Sequence, residues 1–315
     1  MKTILVLGAN GFIGSHLVSQ LLVSHRVVGY GSRPTSVQPE SEQYHYIYGD
    51  FLREQNFEQI LRTHQITDVY HLISTTTPKI GTAHAERELQ ENLLPTIRLL
   101  EAAVACGIKR IIFPSSGGTV YGEYRGRPHR EEDALLPTCS YGVQKMTVEA
   151  YLRLYAQLHG LDAIIARIGN PYGCCMQEFR AQGVIPVLIR ALKKGRKITL
   201  YGDTVRDYVF IGDVTDALVR LLDYTGNQRI FNIASGQGTR LYEVVKLVEA
   251  AAGKTFPTVE MEEIRSCDVA ESILDISRAE QELGWAPQVS LPWGIELTCQ
   301  RMTQLFRQEE MEEKI

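Results

Sequence analysis

The chain opens on an apolar run, Thr3–Leu7, in which every residue is β-branched or aliphatic. That is the pattern of a strand buried on both faces. Just after it, Ser15–Leu22 places Leu17, Val18, Leu21 and Leu22 at helical spacing. Further strands are predicted over Arg26–Tyr30, Tyr46–Tyr48, Val69–Ile73, Lys109–Phe113 and Ala163–Ile168. Between the last three lie a helix over Asn92–Ala105, closed by Gly107, and one over Tyr141–Leu158, closed by Gly160. Such alternation predicts an α/β fold: a doubly wound parallel sheet with helices on both faces.

After about residue 170 the rhythm changes. Loops rich in Gly, Pro and Tyr separate shorter helical stretches, Val184–Leu192, Val214–Leu222 and Leu241–Ala252. There is no internal repeat and no low-complexity linker. The expectation is a first domain over 1–168 and a smaller α/β C-terminal lobe over 169–315 packed on it. The tail, Arg307–Ile315, is charged and reads as a solvated helix end.

Composition narrows the function classes. Thirty-three basic against 37 acidic residues give a formal charge of −4, which argues against a general nucleic-acid binder. The 44% hydrophobic and 22% charged residues exclude a disordered tail or a fibre. No apolar run approaches the roughly 18 residues of a membrane span. Met1–Leu7 is too short for a signal peptide and runs into glycines rather than a cleavage site. The six cysteines are scattered with no CxxC pair, so no zinc site is expected and a reducing, cytoplasmic setting is.

The first chemical signal is Gly8, Ala9, Asn10, Gly11, Phe12, Ile13 and Gly14, set between a strand and an amphipathic helix. The first glycine permits the tight turn, the second lets backbone N–H groups reach a pyrophosphate, and the third lets helix and strand pack closely. The helix N-terminus then offers unpaired donors and partial positive charge to phosphates. The second signal is Tyr141 and Lys145, four apart and so on one helical face. An ammonium near a phenol, with a cationic nicotinamide ring beside both, lowers the phenol pKa toward neutrality and suits it to proton exchange with a substrate hydroxyl or carbonyl.

The GxxGxxG spacing together with YxxxK resembles the short-chain dehydrogenase/reductase superfamily. The match is to its extended, nucleotide-sugar-modifying branch, the NAD-dependent epimerase/dehydratase family, with UDP-galactose 4-epimerases the nearest likeness. The resemblance runs to about Thr298 and implies a Rossmann-type sheet, a nicotinamide cofactor and a nucleotide-diphosphate sugar substrate. By it, Lys145 also holds the nicotinamide ribose. Asp50 and Phe51 match the residues at the adenine edge, while Ile73, Ser74, Thr75, Ser115 and Ile168 line the cofactor. The family's catalytic Ser or Thr falls on Ser116 counting forward from the strand, or on Gly117 counting back from Tyr121 and Gly122. Ser116 is the first choice and Thr119 the second. Gly118 and Thr119 stand where 4,6-dehydratases of the branch carry an Asp-Glu pair, which argues against dehydration.

One departure concerns the cofactor. Members that bind NAD usually carry an Asp at the end of the second strand, where this chain has Gly31, Ser32 and Arg33. Arg33 could pair with a 2′-phosphate, which leaves NADP open beside NAD.

In the second half, Asn170 matches the residue that contacts the substrate diphosphate. The stretch Gln182–Pro186, with Val184, resembles the helix start near the nucleotide. Tyr201 matches the residue laid against the base. Arg206 and Arg265 suit phosphate, and Asp268 suits a ribose. Ser272, seven residues after Arg265, matches a pocket-wall position whose small size predicts tolerance of N-acetylated sugars. The leading expectation is a 4-epimerase acting through transient oxidation at C4. The alternative is an NADPH-dependent reductase of a 4-keto-6-deoxy nucleotide sugar, and a non-enzymatic cofactor sensor comes third. The resemblance also implies a homodimer through helices Asn92–Ala105 and Tyr141–Leu158, with Leu93, Leu94, Ile97 and Leu152 as apolar candidates.

Overall fold

The computed structural model describes residues 1–76, 85–176 and 183–312, with side chains to 307. Its first sheet is built from β1 (Thr3–Leu7), β2 (Arg26–Gly31), β3 (Tyr44–Tyr48), β4 (Asp68–His71), β5 (Arg110–Ser116) and β6 (Asp162–Ile168). A seventh strand, β10 (Ile230–Ile233), joins it from the second half of the chain. The order is β10-β6-β5-β4-β1-β2-β3, and every pairing is parallel. Ile4, Leu5, Val6 and Leu7 have no exposed surface, as the unbroken apolar run requires of a central strand.

Helices cover both faces. α1 (Phe12–Leu21) packs with α8 (Ile211–Asp223) and α10 (Ser277–Leu283) on one side. On the other side lie α2 (Phe57–Thr63), α4 (Leu94–Ala105) and α6 (Ser140–His159). The helix expected over Asn92–Ala105 begins earlier, at α3 (Ala85–Glu88), and runs through a π-turn, Leu89–Leu93, into α4. Pro95 sits in the first turn of α4 and cannot donate a helical hydrogen bond, which accounts for the widened turn before it. Gly160 closes α6 at φ +70°, as the sequence predicted. A single-turn helix, α5 (Gly117–Val120), follows β5.

The second lobe holds β7 (Asn170–Tyr172), α7 (Val184–Lys193), β8 (Ile198–Tyr201) and β9 (Val205–Phe210). After β10 come β11 (Gly238–Arg240), α9 (Leu241–Ala252), β12 (Val259–Glu262), β13 (Glu271–Ser272) and α11 (Leu291–Glu312). Strands β7, β11 and β13 all pair with β9, and β12 pairs with β8. Part of the chain beyond residue 168 also joins the first sheet. α8 and β10 return to the first sheet, because the apolar faces of Val214, Leu218 and Phe231 complete the core over α1 and β6. Among the described residues, no helix is long and apolar enough to cross a membrane.

Candidate functional site

The glycine-rich turn sits at the carboxyl end of β1. Gly8 adopts φ +87°, where a side chain is strained. A Cβ on Gly14 would lie 2.1 Å from the Gly8 carbonyl oxygen, and one on Gly11 would lie 3.0 Å from it. Only bare backbone fits this close turn. Gly11 caps α1 without a side-chain hydrogen bond, so the donors of the first helical turn stay available to an anion. The cradle fits the pyrophosphate of a dinucleotide. Phe12 and Ile13 open α1, and Ile73 lies against Gly8, where a built Cβ would be 3.4 Å from its side chain.

At the carboxyl end of β5 stands the Tyr141–Lys145 pair. Tyr141 and Lys145 share one face of α6, and the Lys145 Nζ is 5.7 Å from the Tyr141 ring centroid. The hydroxyls of Ser116 and Ser74 lie near enough to the Tyr141 phenol to lower its proton affinity. This favours Ser116 over Thr119, whose hydroxyl donates back to the Ser116 carbonyl at 3.4 Å. Gly117 is unsuited to a side chain, since a Cβ there would come within 2.4 Å of Leu274 Cδ1. Ser74, expected at the cofactor, thus reaches the phenol as well.

Lys145 is 5% exposed, and its ammonium donates to the Pro114 carbonyl at 3.1 Å and lies 4.6 Å over the Phe113 ring. Burial pulls Lys145 down to about 8, with the Glu149 carboxylate opposing. Burial pushes Tyr141 up to about 12, with the nearby Cys139 thiol adding to the rise and the Ser116 and Ser74 hydroxyls opposing it. The expected lowering toward neutrality also invokes a cationic nicotinamide ring, whose charge would act against this burial.

Glu149, one further helical turn along from Lys145, forms a fully buried pair with Arg167, whose Nη2 donates to Oε2 at 2.7 Å. Ser115 donates to the same carboxylate at 2.5 Å. Its hydroxyl proton is thus engaged inside the fold. Arg167 also donates to the Tyr121 hydroxyl at 2.9 Å, and Tyr121 donates to Asn232 Oδ1 at 2.7 Å. This network ties β5, α6, β6 and β10 together. Sequence reasoning missed Glu149, although its place four residues after Lys145 puts it on the Tyr141–Lys145 face.

Thr75 is held by Asn92, which accepts from its N–H at 3.0 Å and donates to its hydroxyl at 2.9 Å. Ile168 is buried at the end of β6. Phe51 is 4% exposed and packs among Phe57 and His71 in the core, while Asp50 accepts from the Leu52 N–H and pairs with Arg53. Asn10 turns to the loop after β2. Its Nδ2 donates to the Thr35 carbonyl at 2.8 Å and to the Tyr46 hydroxyl at 2.9 Å.

In the second lobe, the Arg265 guanidinium stacks 3.8 Å over the Tyr201 ring centroid. Arg206 directs N–H donors to the carbonyls of Val205 and Val269, at 2.9 and 2.8 Å, so part of its fork is committed to the backbone. Burial lowers its pKa. Asp268 donates its N–H to the Arg265 carbonyl in the turn that carries both. Ser272, 3% exposed, pairs with Arg206 in register on β13. Val184 opens α7, whereas Gln182 lies outside the described residues. Asn170 on β7 faces α5, its Oδ1 3.1 Å from a Cβ built on Gly118. Among the described residues no cluster of His, Cys, Asp and Glu is suited to a metal ion.

Whole-chain relatives share this architecture. A UDP-glucose 4-epimerase from Mycolicibacterium smegmatis is 33% identical over 309 residues, covering 95% of this chain and 98% of that protein. A dTDP-4-dehydro-6-deoxyglucose reductase from Escherichia coli is 33% identical over 305 residues, covering 93% and 95%. The crystal structure of the Thermotoga maritima UDP-glucose 4-epimerase with UDP-glucose superposes with a TM-score of 0.88 at 30% identity, covering 98% of this chain and 99% of that one. The Thermus thermophilus UDP-glucose 4-epimerase in complex with NAD gives 0.87 at 31% identity, covering 97% and 99%. Residues 4–234 match the model of the NAD dependent epimerase/dehydratase family. With the glycine cradle, the Tyr-Lys pair and the second lobe all in place, the chain belongs to that family.

Proposed function

We propose that this chain is a nucleotide-sugar 4-epimerase, acting on UDP-glucose and UDP-galactose or their N-acetyl analogues. The observation that carries the reading is the convergence of Ser74, Ser116 and Lys145 on the Tyr141 phenol at the carboxyl edge of the sheet. A bound nicotinamide dinucleotide would lie on Gly8, Gly11 and Gly14 and supplies the hydride acceptor and donor. Tyr141 takes the proton from the C4 hydroxyl and returns it once the 4-keto sugar has turned over in the site. Ser116 orients the C4 oxygen, and the Lys145 ammonium holds the ribose and favours the ionised phenol. Arg265 and Arg206 are suited to the diphosphate, with Tyr201 against the base, Asp268 at a ribose, and Asn170 and Val184 near the nucleotide. The small Ser272 leaves room for an N-acetyl group. UDP-N-acetylglucosamine that neither binds nor turns over while UDP-glucose does would remove that last point.

A second reading, reduction of a 4-keto-6-deoxy nucleotide sugar, is favoured by Gly31 at the ribose position and by the E. coli relative. It uses the same side chains in one direction. The two readings separate on the purified protein after denaturation. An epimerase, whose hydride returns, releases about one equivalent of dinucleotide per chain, whereas a reductase exchanges its cofactor at each turnover and comes empty.

A further inference from the structure

Three polar side chains spaced four apart along α3, the π-turn and α4 lie in the interior. Glu88, Asn92 and Thr96 are 1, 2 and 0% exposed. Each reaches a different part of the frame around the site. Thr96 Oγ1 and the Nε2 of His71, at the end of β4, hydrogen-bond at 2.8 Å. Asn92 donates to the hydroxyl of Thr75, the neighbour of Ser74, at 2.9 Å and to the Glu88 carbonyl at 3.3 Å. The Glu88 carboxylate accepts, through Oε2, from the hydroxyl of Ser140. Ser140 is the first residue of α6 and the chain neighbour of Tyr141, and α6 has no side-chain cap of its own. The carboxylate therefore stands at the open first turn of a 20-residue helix, where negative charge is favoured. It lies near enough to Tyr141 to raise the phenol's proton affinity, after burial and the Cys139 thiol.

Stability alone does not account for Glu88. Its other oxygen, Oε1, is buried without a hydrogen-bond partner among the described residues. A buried carboxylate oxygen left unpaired destabilises a fold, whereas an apolar side chain would fill the same volume without that penalty.

We infer that Glu88 is a positioning residue: by holding Ser140 it fixes the first turn of α6, and so aims the Tyr141 phenol at the reacting oxygen. Asn92, one turn on, fixes the loop that carries Ser74, so one helical ridge sets both groups. The inference rests on the reading of Tyr141 as the proton-transfer residue, and it applies equally to epimerisation and to reduction.

Steady-state kinetics of the full chain test it, with UDP-glucose and NAD and with a 4-keto-6-deoxy nucleotide sugar and NADPH. In the reaction that the wild type performs, Glu88→Ala and Ser140→Ala should each lower kcat about tenfold, with KM held within about twofold. Glu88→Gln keeps an oxygen for the Ser140 hydroxyl and should recover kcat to within about threefold of the wild type. The double variant Glu88→Ala with Ser140→Ala should be no slower than the slower single variant, since both changes break one hydrogen bond. Multiplied losses, an unchanged kcat in Glu88→Ala, or a Glu88→Gln as slow as Glu88→Ala overturn the inference and leave the proton-transfer reading standing. A wild type inactive in both reactions overturns that reading and the inference with it. If Glu88→Ala folds poorly, the other two single variants still decide. A wild-type kcat in Ser140→Ala, or a loss in Glu88→Gln as large as that in Ser140→Ala, overturns the inference.

Discussion

At the scale of single residues, the site depends on which hydroxyl meets the phenol. Ser116 and Ser74 reach Tyr141, and Thr119 is turned to the Ser116 carbonyl. Ser116→Ala should therefore lower kcat by roughly 10–100-fold, and clearly more than Thr119→Ala. The reverse order would move the oxygen-orienting role to Thr119. Lys145 gives a pH signature of its own. Burial holds its folded pKa at about 8 against 10.5 unfolded, so between those values the unfolded chain binds more protons. The stability of the wild type relative to Lys145→Met should be level below pH 8 and increase from about 8 to 10.5. Paired thermal or urea melts across that range would show it, and a constant difference contradicts the burial account. Tyr141 and Lys145 were legible because their spacing alone places them on one helical face. Ser74 was not legible in this role, since it lies past the end of β4 and only the fold brings it to the phenol.

At the scale of elements, the glycine-rich turn is the part that sequence and structure describe in the same terms. A Cβ on Gly14 collides with backbone atoms of Gly8 and Ala9, which cannot rotate away. Gly14→Ala should destabilise the fold by about 1–3 kcal/mol and abolish dinucleotide binding. Gly107→Ala, at φ +67° with open space around it, should cost about 1 kcal/mol and leave binding intact. Retained binding in Gly14→Ala would show that the turn can open further than its geometry allows. The central strands of the first sheet were readable because both faces are buried and their sequences are largely apolar, whereas β3 at the edge is partly exposed. Those of the second lobe are short and partly exposed, with no such run. β10 could not be assigned to the first sheet in advance, because hydrophobicity says that a strand is buried but not which neighbour it pairs with.

At the scale of the whole molecule, two surfaces organise the account. One is the outer face of α6 with the start of α4, where Val143, Leu154, Leu158 and Leu94 are 45, 43, 63 and 47% exposed. Leu152, by contrast, is buried against the sheet and is no candidate for an interface. The proposed homodimer would cover that apolar face. Sedimentation of the wild type should give twice the chain mass, and Leu154→Glu with Leu158→Glu should give monomers. A wild type that stays monomeric at tens of micromolar sinks the proposal. The other surface is the carboxyl edge of the first sheet, where the glycine cradle and Tyr141 meet the second lobe. The most direct test of the central claim is to incubate the protein with UDP-glucose, with NAD and with NADP in turn, and follow the sugar by proton NMR. UDP-galactose should accumulate to equilibrium with no net change in cofactor, and Tyr141→Phe should lose activity by roughly 10²–10⁴-fold. No interconversion with either cofactor, alongside consumption of NADPH by a 4-keto-6-deoxy nucleotide sugar, would contradict the epimerase and establish the reductase.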